Sequence, residues 1–190
     1  MNFIEEYQLK DNHICSGFLD IFSVARQAGL CVPGASGPNA SIQPETKKST
    51  DFWLGNANRI GAPISIWEQY HEELWKFVND YITKYKFMDF GGTFMLRYLP
   101  TIQWYKPGEG YYKWHIDGAQ LSCCDRAMVY MTYLNDMSEG GGTMFYHQDY
   151  TVTPKKGKTV IFPAAYTHLH KGEISLTQEK YILTGWIWWE

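Results

Sequence analysis

The sequence has no uncharged apolar run approaching the roughly 20 residues of a membrane span, so no membrane association is expected. It has no basic stripe. Its 17 Lys and Arg stand against 20 Asp and Glu, a net charge of −3, which leaves no electrostatic footprint for nucleic acid. Cysteine is scarce, at positions 15, 31, 123 and 124, with no C-x-x-C pair, and adjacent Cys123 and Cys124 are badly placed to bridge each other. The four read as free thiols of a reducing compartment, with one disulfide or a stray metal ligand as the alternative. The opening MNFIEEYQLKD carries acids where a secretory leader would need a basic start and an apolar stretch, so the default expectation is a cytoplasmic protein. Internal repeats and low-complexity tracts are also missing.

What is abundant is aromatic surface. Eight Trp, 14 Tyr and 10 Phe make up 17% of the 190 residues, which argues against disorder. That length suits one domain, 1–190, able to bury a real core without staples. Two helices are expected in its first half. From Asp11 to Ala28, apolar Ile14, Phe18, Phe22 and Ala25 recur at three- and four-residue steps, with Asp11 or Asn12 to cap the start and Gly29 to close the end. A second helix starts near Ser65, where Ser65 and Glu68 form a capping-box pattern, and Trp67, Leu74, Val78, Tyr81 and Tyr85 form its core-facing stripe. Between them, residues 31–63 are rich in Gly, Pro, Ser and Asn. The stretch is either a cover over a substrate entrance or a surface excursion.

From Gly92 onward the texture changes. TFMLRYL alternates, and YYKWHID, AMVYMTYL, GTMFYH, KTVIF and EKYILTGWIWW follow as short β-rich runs. Turn residues separate them, among them Pro107-Gly108-Glu109-Gly110 and Gly140-Gly141-Gly142. No helix-length pattern intervenes. The expected fold is mainly β, an antiparallel sandwich or jelly roll, with the two N-terminal helices buttressing one sheet. Residues 1–91 supply helical support and the entrance loop; residues 92–190 form the β core.

His115-Ile116-Asp117 is the first chemical signal. On a strand, residues two apart share a face, so an imidazole and a carboxylate would converge. With a second His they would make a 2-His-1-carboxylate set that leaves positions open on a ferrous ion. Alone, H-x-D is weak, because a hydrogen-bonded His–Asp pair explains most instances. His13 and His71 fall on or beside the helices, whereas His147, His168 and His170 lie in the β region. His168 and His170 are two apart, and periodicity does not choose between them. Lys180 is the second signal: a lone Lys in the apolar run QEKYILTGW. A buried ammonium needs a partner, and a bound carboxylate is one candidate. An edge-strand Lys reaching solvent is the other.

Taken together, the stretch from Leu96 to Trp186 resembles the Fe(II)- and 2-oxoglutarate-dependent dioxygenases of the prolyl 4-hydroxylase type. YKPGEGYYKWHID is similar to that family's Tyr-x-Pro-Gly segment leading into H-x-D. MTYLND, EGGGTMF, VTPKKGKTVIFP and HKGEISLTQEKYILTGW resemble its later blocks, in order. The distal block departs from the family where Ile174-Ser175 and Gln178 replace a common Pro-Val, in a loop that carries no ligands. The resemblance implies a double-stranded β-helix, or jelly roll, with Fe(II) held by His115, Asp117 and His170. His170 stands ten residues before Lys180, the family's spacing, which makes His168 a neighbour. It further implies that Lys180 binds the C5 carboxylate of 2-oxoglutarate. Tyr105 and Tyr133 would line or hydrogen-bond the co-substrate, with Thr184 adding a hydroxyl. Trp186 would stand near iron and substrate, and Arg126 would meet the substrate.

The implied activity consumes 2-oxoglutarate and O2, releases succinate and CO2, and hydroxylates a substrate carbon, with ascorbate supporting turnover. The favoured substrate is a prolyl residue of a peptide or protein, lying in an aromatic groove as polyproline II ligands do. A free amino acid or another protein side chain is the alternative. A nucleobase is disfavoured by the acidic balance. Readings from other classes are a non-catalytic jelly-roll binding module and a zinc hydrolase on a similar barrel, which would need a general base near the metal.

Overall fold

The structure, a computed structural model, describes residues 1–37, 40–86 and 92–190. In chain order its elements are β1 (Glu5–Gln8), α1 (His13–Gln27), β2 (Val32–Pro33), β3 (Thr50–Trp53), α2 (Ser65–Lys84), β4 (Phe94–Met95), β5 (Thr101–Tyr105), β6 (Arg126–Tyr133), β7 (Thr143–Phe145), β8 (Tyr150–Val152), β9 (Lys158–Pro163), β10 (His170–Gly172) and β11 (Lys180–Trp189). Single 3-10 segments cover Leu54–Ile60 and Tyr166–His168. The boundary expected at residue 91 lies outside the described residues.

Two antiparallel sheets face each other, as expected for a jelly roll. The larger runs β1-β9-β6-β11-β5-β3-β2, with β4 on the far end of β11; the smaller runs β10-β7-β8. Strand alternation divides the larger sheet into two chemistries. On β6, Met128 and Tyr130 join the cluster shared with the helices, while Val129, Met131 and Tyr133 face the space between the sheets. On β11, Leu183 and Ile187 point to the helices and Ile182 to the inner space. Lys180, Ile182, Thr184 and Trp186 therefore share the inner face.

The helices cover the outer face. Phe18, Phe22, Tyr70, Leu74 and Val78 pack on Ile102, Met128 and Leu183. One polar pair of strands crosses this interface without orphaned groups: the Tyr70 hydroxyl lies 2.8 Å from Thr132 Oγ1, which lies 2.7 Å from Thr159 Oγ1. Gly185 is required where it stands. A Cβ there would sit 2.3 Å from the Tyr130 hydroxyl oxygen, so only glycine lets β11 lie this close to Tyr130.

Four expectations change. The capping box does not form: Ile64 already has helical backbone angles, so Ser65 falls inside the first turn rather than at the cap. The buried stripe of α2 is Ile66, Tyr70, Leu74, Val78 and Tyr81, one residue off at its start, with Trp67 only partly buried. TFMLRYL contributes only Phe94–Met95, because those two residues alone find a ladder partner on β11 and Pro100 has no N–H to extend one. Residues 31–63, apart from 38 and 39, which lie outside the described residues, are no loose excursion. They contribute β2 and β3 to the edge of the larger sheet, β3 pairing with β5.

Candidate metal centre

His115 and His170 are 55 positions apart in sequence, yet they are joined by a two-bond antiparallel bridge. His115 N–H donates to His170 O at 2.9 Å, and His170 N–H donates to His115 O at 3.0 Å. Directly opposed residues in such a pair put their side chains on one side. The two rings accordingly lie 4.2 Å apart between centroids. Asp117 joins them by a different route from the expected strand alternation, because residues 116–118 are not strand. Its position is set by a bend. Gly118 N–H donates to Ala164 O at 2.9 Å, and Arg126 Nη1 donates to the Asp117 carbonyl at 3.0 Å.

The ligating atoms of His115, Asp117 and His170 all lie within 4.8 Å of one another. The hydrogen bonds around them decide what that point can hold. His115 Nδ1 is 3.1 Å from Lys113 O, and His170 Nδ1 is 2.9 Å from His168 O. A carbonyl only accepts, so each Nδ1 carries the proton and each neutral ring presents the lone pair of Nε2. Asp117 Oδ1 accepts from the Trp186 indole N–H at 3.0 Å, while Oδ2 is buried without a hydrogen-bond partner among the described residues. It lies 3.4 Å from His170 Nε2. Three acceptors thus converge with no donor among them, which fits a cation and does not fit a hydrogen-bonded His–Asp pair. Burial, and then the adjacent His170, push His115 down to about 4, so this ring is neutral and ready to ligate at physiological pH.

These residues line an open cavity of about 1060 Å³ between the sheets. Lys180 reaches it from the first residue of β11. Its ammonium donates to Gly141 O at 3.1 Å and lies 4.9 Å from the Tyr105 ring centroid, with no carboxylate of the described residues in ion-pair contact. Gly140 and Gly141 hold positive φ angles of 58° and 73°, which aim that carbonyl inward. Burial brings the Lys180 ammonium down to about 8, against a weak opposing pull from Glu173. A buried ammonium that stays charged below that pH, in a cavity wall, is a receptor for an anionic group.

The comparisons agree with this geometry. The profile described as "2OG-Fe(II) oxygenase superfamily" matches residues 100–188. That match spans 89 of the 190 residues and makes the β region that carries the site similar to this superfamily. A comparison with curated proteins yields no match. Among solved structures, a prolyl hydroxylase from Trichoplax adhaerens, in complex with a hypoxia inducible factor peptide fragment, is 18% identical with a TM-score of 0.75, over 99% of this chain and 84% of that one. A Pseudomonas putida prolyl-4-hydroxylase is 18% identical with a TM-score of 0.72, over 99% and 94%. The viral collagen prolyl hydroxylase of Paramecium Bursaria Chlorella virus-1, in its 2OG complex, is 20% identical with a TM-score of 0.67, over 97% and 95%. At these identities the likeness establishes the shared fold.

The matched family implies Fe(II) and 2-oxoglutarate, and the acceptor cluster at His115, Asp117 and His170 is a fitting metal site. The remaining expected residues fall as follows. Tyr105, Arg126, Thr184 and Trp186 all line the cavity. Tyr133 does not. Its hydroxyl is spent on Thr143 Oγ1 at 2.8 Å, and Thr143 is the residue that faces the cavity. His168 points away: its ring nitrogens bond Thr167 Oγ1 at 2.9 Å and Asn2 O at 2.8 Å.

Two features of the wall were not anticipated. Tyr111 stacks on His115 with centroids 3.5 Å apart and planes 6° apart, fixing the plane of that ring. Lys47 and Asp51 form a buried ion pair at 2.7 Å, with Ser49 Oγ donating to the other Asp51 oxygen at 2.7 Å. The only sequence trace of this pair is an i,i+4 charge spacing inside a stretch read as loop. No helix among the described residues is long and apolar enough to cross a membrane.

Proposed function

We propose that the chain hydroxylates a prolyl residue of a peptide or protein, converting 2-oxoglutarate and O2 to succinate and CO2. His115, Asp117 and His170 hold the ferrous ion; Lys180 anchors the far carboxylate of 2-oxoglutarate. Tyr105 and Thr184 border that co-substrate, and Thr143 takes the place expected for Tyr133. When bound, the iron supplies oxygen activation coupled to decarboxylation of the oxoacid. The protein's part is to hold three acceptors at one point, to place one cation on the same inner face, and to keep the pocket between the sheets apolar with Val129, Met131, Phe162 and Ile182.

The observation that carries the reading is the convergence of two Nε2 lone pairs and an unpartnered Asp117 Oδ2 in the cavity that Lys180 also faces. The cavity is large for a five-carbon dicarboxylate alone, since pockets of roughly 300–1,000 Å³ hold drug-sized ligands. Its mouth carries Trp114, the exposed Tyr166 and the exposed His147, a surface suited to an uncharged extended segment. Three of the structural neighbours are prolyl hydroxylases, which supports the substrate class.

The test is anaerobic loading with Fe(II), followed by O2, 2-oxoglutarate, ascorbate and a panel of proline-containing peptides. Succinate release with a single added oxygen on a prolyl residue is the expected result. Oxygen added to a different side chain, or to a free amino acid, would transfer the chemistry to that substrate. Metal binding without any oxoacid turnover would leave a binding module.

A further inference from the structure

Trp186 and Arg126 were expected to meet the substrate, but their polar groups are turned towards Asp117. The Trp186 indole N–H donates to Asp117 Oδ1 at 3.0 Å. The Arg126 guanidinium lies 3.7 Å from the Trp186 ring centroid and donates through Nη1 to the Asp117 carbonyl at 3.0 Å. One residue therefore grips the aspartate's side chain, and the other grips its backbone while stacking on the first. The register accounts for the meeting. Arg126 opens β6 opposite Trp188, and the β11 ladder shifts between Ile187 and Trp188 at that end. This irregularity brings the guanidinium over Trp186, with Trp188 second at 5.1 Å.

We propose that Trp186 is a positioning residue for Asp117. Its N–H ties Oδ1 to the cavity wall so that Oδ2 alone is presented to the metal, and Arg126 locks the indole in that orientation. The inference rests on the proposed iron site and concerns how its carboxylate is held. Asp117 needs such support more than the two histidines do. They lie on a two-bond bridge and each is anchored through Nδ1, whereas Asp117 lies in a bend outside any strand. A carboxylate free to rotate could close both oxygens on one ion and fill a position that the co-substrate or O2 requires. The groups that orient metal ligands typically account for 10–100-fold in affinity or activity.

The test is metal titration of the apoprotein, read with Mn(II) or Fe(II) under anaerobic conditions, on the wild type, Trp186→Phe, Arg126→Met and the double variant. Trp186→Phe keeps an aromatic ring for Arg126 to stack on and removes only the donor. The expected result is a metal Kd raised about tenfold or more, with the melting temperature of the apoprotein little changed. Arg126→Met should weaken binding in the same direction. The two effects should fail to add in the double variant, since both act through one aspartate. The visible spectrum of bound Co(II) should lose intensity in Trp186→Phe as the freed carboxylate raises the coordination number, a change that a purely packing role would not produce. Unchanged metal affinity and an unchanged Co(II) spectrum in Trp186→Phe overturn the proposal while leaving the iron site standing. Should Trp186→Phe not fold, unchanged affinity in Arg126→Met overturns it instead. Absence of metal binding by the wild type removes the iron site itself.

Discussion

His168 and His170 are the sharpest contrast in the molecule: two histidines two positions apart, both buried, with opposite duties. His168 spends both ring nitrogens on the protein, whereas His170 spends only Nδ1. His170→Ala should therefore abolish metal-dependent succinate release. His168→Ala removes a bond to the Asn2 carbonyl, at a cost of about 1 kcal/mol of stability, and should keep most of the activity. The reverse pattern in a succinate assay would exchange the two assignments. Lys180 gives a pH-dependent prediction. Burial lowers its ammonium to about 8, so the group that would hold a carboxylate is charged below that pH and neutral above it. The apparent KM for 2-oxoglutarate should rise as pH climbs through about 8, at unchanged metal affinity. A bound dicarboxylate favours the ammonium and moves the turn upward in the loaded enzyme. Lys180→Ala should show the raised KM at every pH and lose this transition; a transition that persists in the variant belongs to another group.

At the scale of elements, β11 shows why the sequence was informative in some places and silent in others. Its alternation could be read directly, and with it the odd placement of Lys180, because a charge in an apolar run stands out at period two. The two helices were legible for the same reason at their own period. The site's middle was not. YYKWHID, residues 111–117, was read as a strand, but it forms none: it is held by the isolated bridges Lys47–Tyr111 and His115–His170 and by the Gly172 N–H on Tyr111 O, and the bend at Asp117 is imposed by Ala164 and Arg126, both distant in sequence. The strands β2 and β3 were hidden for a related reason: a Gly- and Pro-rich composition describes the connections around them, not the four residues that pair with β5. Thr143 was missed as a wall residue because only the fold shows that it stands between Tyr133 and the cavity. The two faces of β11 predict unequal tolerance. Gly185→Ala forces a Cβ to within 2.3 Å of the Tyr130 oxygen on the packed outer face and should cost about 1–3 kcal/mol in denaturant unfolding. Thr184→Ala, next to it on the cavity face, should cost less, and equal losses would mean that the outer face yields more readily than its packing implies.

The whole molecule depends on joining parts that are far apart in the chain. The larger sheet shares one core with both helices, while the smaller sheet brings His170 to the bridge that carries His115. A metal bound there ties the 111–118 segment to β10, and Lys180 connects the same cavity to the middle of the larger sheet. Ligands that bind only the folded chain stabilise it by mass action, about 2.7 kcal/mol at a hundred times Kd. For a chain of this size each kcal/mol moves the melting temperature by roughly 2–4 °C. Saturating Mn(II), used in place of oxidisable Fe(II), should therefore raise the midpoint by roughly 5–11 °C at that concentration, and 2-oxoglutarate should add a further rise. Because the oxoacid end is held at the metal and the other end at Lys180, the second increment should depend on the first. His170→Ala should lose both increments, and Lys180→Ala should keep the metal increment and lose most of the second. Thermal melts with each ligand alone and with the two together separate these cases. A full 2-oxoglutarate shift in metal-free protein would mean that the cation alone holds the dicarboxylate, and the acceptor cluster at His115, Asp117 and His170 would then take no part in binding it.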